Sequence, residues 1–201
     1  YPDGSRAGNL AIYTSQTLNV NRFQFNLGGR FNIVRIAIED EEFGNTKITP
    51  SAFVLNASTR YAIHKSHALF FNMFTGFRAP NINDLSSFGT FDFGTEVPSF
   101  GLQPERSFTL EAGYKLSADR VSANLSVYSM RLNNLITRIR STYNGLPTYN
   151  GEDVYAKENT AKAIVQGVES SIRMSINPNL SFSGNLTYTY GENKTKGEPM
   201  R

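Results

Sequence analysis

Apolar and polar residues alternate along much of the chain, most clearly in residues 104–116. In that stretch Phe108, Leu110 and Tyr114 are separated by polar or small residues such as Thr109. Successive side chains of a β-strand point to opposite faces, so a period of two predicts a strand with one apolar and one polar face. Seven further stretches also predict strands: residues 9–18, 22–38, 48–63, 68–78, 120–133, 162–176 and 180–190.

The connections between these strands alternate between short and long. Short turns are predicted near residues 20, 65, 118 and 178, and longer loops near 43, 90, 147 and after 190. Transmembrane β-barrels have this arrangement, with strands of about 9–11 residues, short periplasmic turns and long outer loops. A soluble sandwich has shorter strands, commonly about 5–6 residues, and no reason to sort its loops. The sequence therefore predicts an all-β, antiparallel up-and-down meander of about eight long strands.

The alternation also predicts which side chains face lipid and which face the lumen. A slip of one residue would reverse every assignment in a strand, so the prediction is specific. The lipid-facing set is Phe23, Phe25, Phe53, Leu110, Val127, Ile172 and Leu186, and the lumen-facing set is Gln24, Asn56, Glu111, Asn124, Arg173 and Asn185.

Composition excludes several other classes of protein. No eighteen consecutive residues are apolar, which excludes a membrane-spanning helix. The absence of cysteine excludes disulfides and thiolate metal sites. The net charge of +3 is scattered rather than clustered, so a nucleic-acid partner is not expected.

Four motifs occur in a fixed order over roughly the last 125 residues of the chain. They are GFRAPN at residues 76–81 with Asp84 and Leu85, LQPERSFTLEAGYK at 102–115, Asn159 followed by GVE at 167–169, and NLTYTY at 185–190. Together they resemble the barrel of TonB-dependent outer-membrane receptors. The order and spacing of the four motifs make the resemblance more specific than any one of them.

The resemblance implies that residues 1–201 are a partial β-barrel domain within a barrel of roughly 22 strands. The plug domain, the remaining strands and the segment that contacts TonB would lie outside this chain. The whole protein would sit among the lipids of the bacterial outer membrane and import a small, scarce nutrient: a metal chelate, a vitamin or an oligosaccharide. A structural or adhesive outer-surface β protein without transport is the alternative. In either case the first and last strands would be left with open edges.

Candidate ligand contacts lie at the predicted rim and in the loops at residues 80–101 and 136–158. Two candidates lie at the rim, because Arg78 ends a predicted strand and Asn81 follows it in the loop. The other candidates are loop aromatics, and an exposed cluster of aromatic side chains usually has a functional reason. The candidates are Arg78, Asn81, Phe91, Phe93, Phe100, Tyr143, Tyr149 and Tyr155. Two alternatives remain open: Arg78 pairs with neighbouring acids, and the loops fold over one another and bury the rings.

The sequence offers no visible catalytic machinery. No Ser/His/Asp grouping, phosphate-binding glycine loop or close carboxylate pair is present, so neither an enzyme nor a cofactor is expected. His64 and His67 lack a third metal ligand, and the acidic run at residues 39–42 has no calcium-binding spacing. We therefore expect no metal site.

Overall fold

The computed structural model describes residues 4–40 and 44–200, which form one largely antiparallel sheet. The eight long strands are β1 (Arg6–Val20), β2 (Phe23–Ile38), β4 (Ser51–His64), β5 (His67–Arg78), β8 (Glu105–Ser117), β9 (Val121–Arg140), β11 (Glu152–Asn177) and β12 (Leu180–Asn193). The short elements are β3 (Thr46–Ile48), β6 (Gly89–Phe91), β7 (Gly94–Val97), β10 (Thr148–Tyr149), β13 (Glu198–Pro199) and the single-turn helix α1 (Ile82–Ser86). Each long strand pairs with the next long strand, which confirms the predicted meander.

The connections are sorted by length as predicted. Residues 21–22, 65–66, 118–120 and 178–179 form the short turns at one end of the sheet. The longer connections lie at the other end, at residues 79–104, at residues 141–151 and between Ile38 and Ser51, where residues 39–40 and 44–50 are described. Part of the acidic run, residues 41 and 42, lies outside the described residues.

The predicted loop at residues 136–158 was too long. The strands β9 and β11 extend to 20 and 26 residues, so the connection shrinks to residues 141–151. Register shifts between Asn159 and Ala163 break the period-two pattern in β11 without ending the strand. A β-bulge of this kind inserts an extra residue, so the alternation by which a strand is recognised in a sequence is lost although the strand continues.

The strand register confirms the predicted division into two faces. Residues paired across an antiparallel ladder point to the same side, and successive pairs carry that side across the sheet. One such row contains Phe25, Thr59, Phe71, Ala112, Val127, Val168 and Tyr188. All seven residues predicted to face lipid lie on this face, and all six predicted to face the lumen lie on the other.

Aromatic rings mark two levels on the outer, apolar face. Phe53 pairs with Phe31 toward the loop end, and Tyr61 packs on Phe23 toward the short turns with ring centroids 4.8 Å apart. Eight residues separate Phe53 from Tyr61 along β4, or roughly 26 Å at about 3.3 Å per residue. A strand tilt of about 40° reduces this to roughly 20 Å of membrane depth, close to the ~25 Å apolar band between the aromatic girdles of outer-membrane barrels.

The inner face packs rings against glycines where strands meet. A Cβ on Gly113 would lie 2.3 Å from Cζ of Phe70, and one on Gly167 would lie 2.5 Å from the hydroxyl of Tyr128. That hydroxyl is also hydrogen-bonded to Thr189 at 3.0 Å. The missing side chains at these glycines let large rings lie flat across neighbouring strands.

The sheet is open at both sides over the part of the chain that the structure describes. There β1 pairs only with β2, while β12 pairs with β11 and, for two residues, with β13. Both edges therefore carry unpaired backbone groups, as the sequence predicted. No helix of the described residues is long and apolar enough to cross a membrane.

We predict that a charge on the outer face destabilises the protein far more than a charge on the inner face. Leu110 lies on the outer face in the row of Ala57, midway between the levels of Phe53 and Tyr61. Ser171 lies on the inner face between two asparagines. In the full-length protein refolded into lipid, Leu110→Arg should cost about 2–4 kcal/mol and Ser171→Arg much less. Equal losses in denaturant titrations would contradict the assignment of the outer face to lipid.

Candidate functional site

Residues from three of the four motifs lie at the loop end of the sheet, in a cluster that we call the rim junction: Arg78, Asn81, Asp84, Glu105 and Asn159. Arg78 ends β5 and donates two hydrogen bonds to the carboxylate of Glu105, from Nε at 2.7 Å and Nη2 at 2.9 Å. Its Nη1 donates to Asp84 at 2.7 Å. This two-point contact is the strong geometry for an arginine–carboxylate pair. It connects the end of β5 to the start of β8, the two strands that flank the long connection at residues 79–104, which we call the excursion.

Glu105 and Asn81 have further structural partners. Glu105 accepts a hydrogen bond from the backbone amide of Ile136 at 2.9 Å, which connects β8 to β9. The side chain of Asn81 accepts from the amide of Asp84 at 2.8 Å, and Asp84 accepts from the amide of Asn81 at 3.1 Å. This reciprocal capping box starts α1 directly after the strand.

Asn159 joins three segments of the rim through its side-chain amide. Its Nδ2 donates to the carbonyls of Gln103 and Asn134, each at 2.8 Å, and its Oδ1 accepts from the amide of Gln103 at 2.7 Å. The register shift beside Asn159 interrupts the ladder at this point. The side chain therefore replaces backbone pairing that the bulge removes.

The excursion at residues 79–104 folds inward rather than projecting as an open loop. Leu85 of α1 is fully buried and packs with Leu102 against Ile36 and Ile38 of β2. These two isoleucines lie on the inner face, which is polar lower down the strand at Gln24. The lumen side of the sheet is thus covered by an apolar cluster at the loop end.

A parallel strand pairing fixes the middle of the excursion. The strand β7 adds to the edge of β11, with Glu96 opposite Tyr155. The side chain of Glu96 is only 5% exposed and pairs with Arg138 and, at 2.8 Å, with Nζ of Lys157. Lys157 also donates to the carbonyl of Asn83 at 2.9 Å. A buried carboxylate with two cationic partners therefore holds β7, α1 and the β9–β11 hairpin together.

The candidate loop aromatics form two groups of rings. Tyr143 and Tyr149 stack edge to face with centroids 5.3 Å apart, and Phe88 lies within 6 Å of both. In the second group Phe91 contacts Phe93 at 6.1 Å and Tyr155 at 5.4 Å. The rings are therefore packed against one another, but none of the six is buried, so the loops do not enclose them.

The exposure of the candidates differs widely. Phe93 is 76% exposed, whereas Phe100 packs against the apolar cluster around Leu85. Tyr155 is a strand residue of β11 and not, as predicted, a loop residue. The guanidinium carbon of Arg138 lies 4.7 Å from the ring centre of Phe91, a cation–π contact. The structure thus brings the second ring group together with a cation.

Three functional residues were not predicted from the sequence: Glu96, Arg138 and Lys157. Arg138 and Lys157 lay in the stretch predicted as loop, and Glu96 is an isolated acid among apolar and small residues. An acid that is buried among apolar residues requires a cationic partner. The apolar neighbours of Glu96 were therefore the one signal in the sequence that it pairs with a basic residue. Among residues 4–40 and 44–200, no three metal-ligating side chains come together as a possible metal site.

The family of this chain is identified by a family model. A family model described as TonB dependent receptor-like, beta-barrel matches residues 1–201. A ferric enterobactin receptor of Pseudomonas aeruginosa is 27% identical over 140 residues, which cover 62% of this chain and 19% of that protein.

Solved structures share the fold at low sequence identity. The copper transporter OprC superposes with a TM-score of 0.75 at 15% identity, covering 98% of this chain and 31% of its own. The alcaligin outer-membrane receptor FauA of Bordetella pertussis gives 0.70 at 16% identity, with 98% and 32% covered. The chain therefore spans less than a third of the length of these relatives.

We predict that Gly94→Ala detaches β7 from β11. Gly94 has φ +148°, and a Cβ there would lie 2.2 Å from the backbone oxygen of Asp153, which cannot move aside as a side-chain tip could. Hydrogen exchange at the amides of residues 94–97 should rise in the full-length protein, and protease cleavage of the excursion should follow.

The matched control is Gly101→Ala, in the same excursion. A Cβ on Gly101 meets nothing within 4 Å. Equal protection of residues 94–97 in both variants would show that β7 is not held by its close approach to Asp153.

Proposed function

Because the chain belongs to the TonB-dependent receptor-like β-barrel family, we propose that it supplies wall, lumen lining and outer loops to a receptor that imports a scarce nutrient across the bacterial outer membrane. Receptors of this family bind siderophores or other nutrients and interact with TonB. The family is one of transport receptors rather than enzymes, and we assign the chain no catalytic step. The family match favours a receptor over an adhesive surface protein.

The observation that carries this proposal is the inward fold of the excursion over a polar inner face. A barrel that only anchors an adhesin needs outward loops, whereas a receptor must hold ligand above its lumen. Here α1 and Leu102 are seated on the inner face of β2, and β7 is held by Glu96. The loops therefore form a folded layer at the lumen entrance, where a ligand can be retained before transport.

Within that layer we propose different roles for the candidate residues. Arg78 and Asn81 position the excursion, because their polar atoms are engaged by Glu105 and Asp84. Contact with ligand falls to the ring groups, above all to the exposed Phe93. Aromatic rings give a large contact area at small cost in side-chain entropy.

The class of ligand that we propose is a metal or metal chelate. The curated relative is named for ferric enterobactin, and the two structural relatives above are named for copper and alcaligin. Arg138 beside Phe91 places a cation next to the rings, which suits an anionic chelate with aromatic groups. The plug domain and the TonB contact come, on this proposal, from the rest of the polypeptide.

Alanine at Phe91, Phe93 and Tyr149 together should weaken ligand binding by the full-length receptor at least tenfold. The ligand is to be identified first by growth of a receptor-dependent strain on a panel of ferric chelates and copper, and the affinity then measured by fluorescence quenching. The control is Phe53→Ala, which removes a ring on the lipid face. The side chain of Phe53 is 61% exposed, compared with 76% for Phe93.

Unchanged affinity and uptake in the triple variant would remove the rings from the binding site. Growth of the receptor-deficient strain on every tested nutrient at the parental rate would instead contradict the transport function itself.

A further inference from the structure

A recess lies on the outer face of the sheet, where lipid is expected. Its volume is about 500 Å3, and its floor is formed by Ala112 and the backbone of Gly113. Large apolar side chains surround it: Tyr61, Leu69, Phe71, Tyr114, Leu125 and Val127. Volumes of about 300–1,000 Å3 are typical of sites for single small molecules. The recess comes from the small outward side chain of Ala112 among large neighbours on four strands.

The recess lies in the half of the sheet that contains the short turns. Leu69 is the third residue of β5 and is four residues from Lys65 in the β4–β5 turn, or roughly 13 Å along the strand. Tyr114 is paired with Leu69 at the same level, and its hydroxyl contacts Nδ1 of His67. Short turns face the periplasm in barrels of this kind, so the recess opens into the periplasmic leaflet.

Two turns that together carry a net positive charge lie directly below the recess. Lys65 is in the β4–β5 turn and Arg120 in the β8–β9 turn, and the amide of Ser117 donates to the carbonyl of Ser66 at 2.8 Å, which holds the turns side by side. Asp119 is the one acidic residue of these two turns. Their formal charge is therefore +2 − 1 = +1, at the depth of the phospholipid head groups.

From the recess and these two turns we infer that the recess holds one acyl chain of an anionic phospholipid from the periplasmic leaflet, with its phosphate near Lys65 and Arg120. The acyl chain lies between Phe71 and Leu125, over Ala112. This site is separate from the nutrient site, which lies at the opposite end of the strands and on the other face.

A phospholipid fits the recess better than a protein partner does. A stable protein contact needs about 1,000 Å2 of buried surface, more than a recess of this volume provides. An acyl chain gains no hydrophobic free energy on leaving the bilayer, because its surroundings are apolar in both places. Retention therefore depends on packing in the recess and on the attraction between the anionic head group and nearby basic residues. One basic residue near the surface raises the affinity for an anionic lipid about fivefold.

The test uses the full-length receptor in detergent with an equimolar mixture of dioleoyl phosphatidylglycerol and dioleoyl phosphatidylcholine. Native mass spectrometry then counts the lipids that each variant retains. The wild type should retain one phosphatidylglycerol in preference to phosphatidylcholine. Lys65→Gln and Arg120→Gln should each lower that preference about fivefold.

Filling the recess tests the acyl-chain contact. Ala112→Phe should lower retention of both lipids at least tenfold, whereas Ala123→Phe, the same change on the outer face but outside the recess, should not. Heat-modifiable migration on gels checks that both variants are folded barrels, and ligand affinity should be unchanged in both. Equal retention by the two alanine variants, no preference for phosphatidylglycerol in the wild type, or retention of lipopolysaccharide in its place would each overturn the inference.

Discussion

Inside a bilayer no water is available to pair with backbone amides and carbonyls, and each unsatisfied group costs several kcal/mol. This constraint explains why the chain is an almost unbroken ladder of long strands. It also explains the two faces, since a strand that is paired on both sides can vary only in where its side chains point. The open edges at β1 and β12 cannot be satisfied within the described residues. On the proposal that the chain is part of a larger barrel, further strands of that barrel pair with them.

Above the membrane the constraint is relaxed, and side chains form hydrogen bonds with backbone groups that are not paired in the strand ladder. At the rim junction Glu105 pairs with an amide of β9, and Asn159 bridges three segments beside a bulge. Arg78 is about half exposed, so its ion pairs act mainly through geometry rather than through large free energies. Glu96 is nearly buried, and loss of one of its cationic partners would leave a charge with little water around it.

The parts of the structure that follow from local periodicity could be predicted from the sequence. The faces of Phe25, Leu110 and Leu186 were all correct, because one apolar face against lipid leaves a regular alternation. The extent of β11 was not, because register shifts near Asn159 break the alternation while pairing continues. The inward fold of residues 79–104 also escaped prediction, since it depends on contacts between residues distant in sequence, such as Leu85 with Ile36.

The motifs behind the family resemblance are explained by the same contacts. Arg78, Asp84, Glu105 and Asn159 are far apart in sequence and meet at the rim junction, so their spacing reflects the folding of the excursion. Gly113 and Gly167 belong to the motifs for a different reason, because each gives space to a ring on a neighbouring strand. The motifs thus report on the wall and rim of the barrel.

The chain is a two-faced wall between lipid and lumen. Single-cysteine spin labelling along residues 105–117 of the full-length receptor in nanodiscs can test this division into two faces. The chain contains no cysteine of its own, so its residues add no background. The structure predicts oxygen accessibility with a period of two, highest at residues 108, 110, 112 and 114 and lowest at 107, 109, 111 and 113. A profile without that period, or with the opposite phase, would contradict the account.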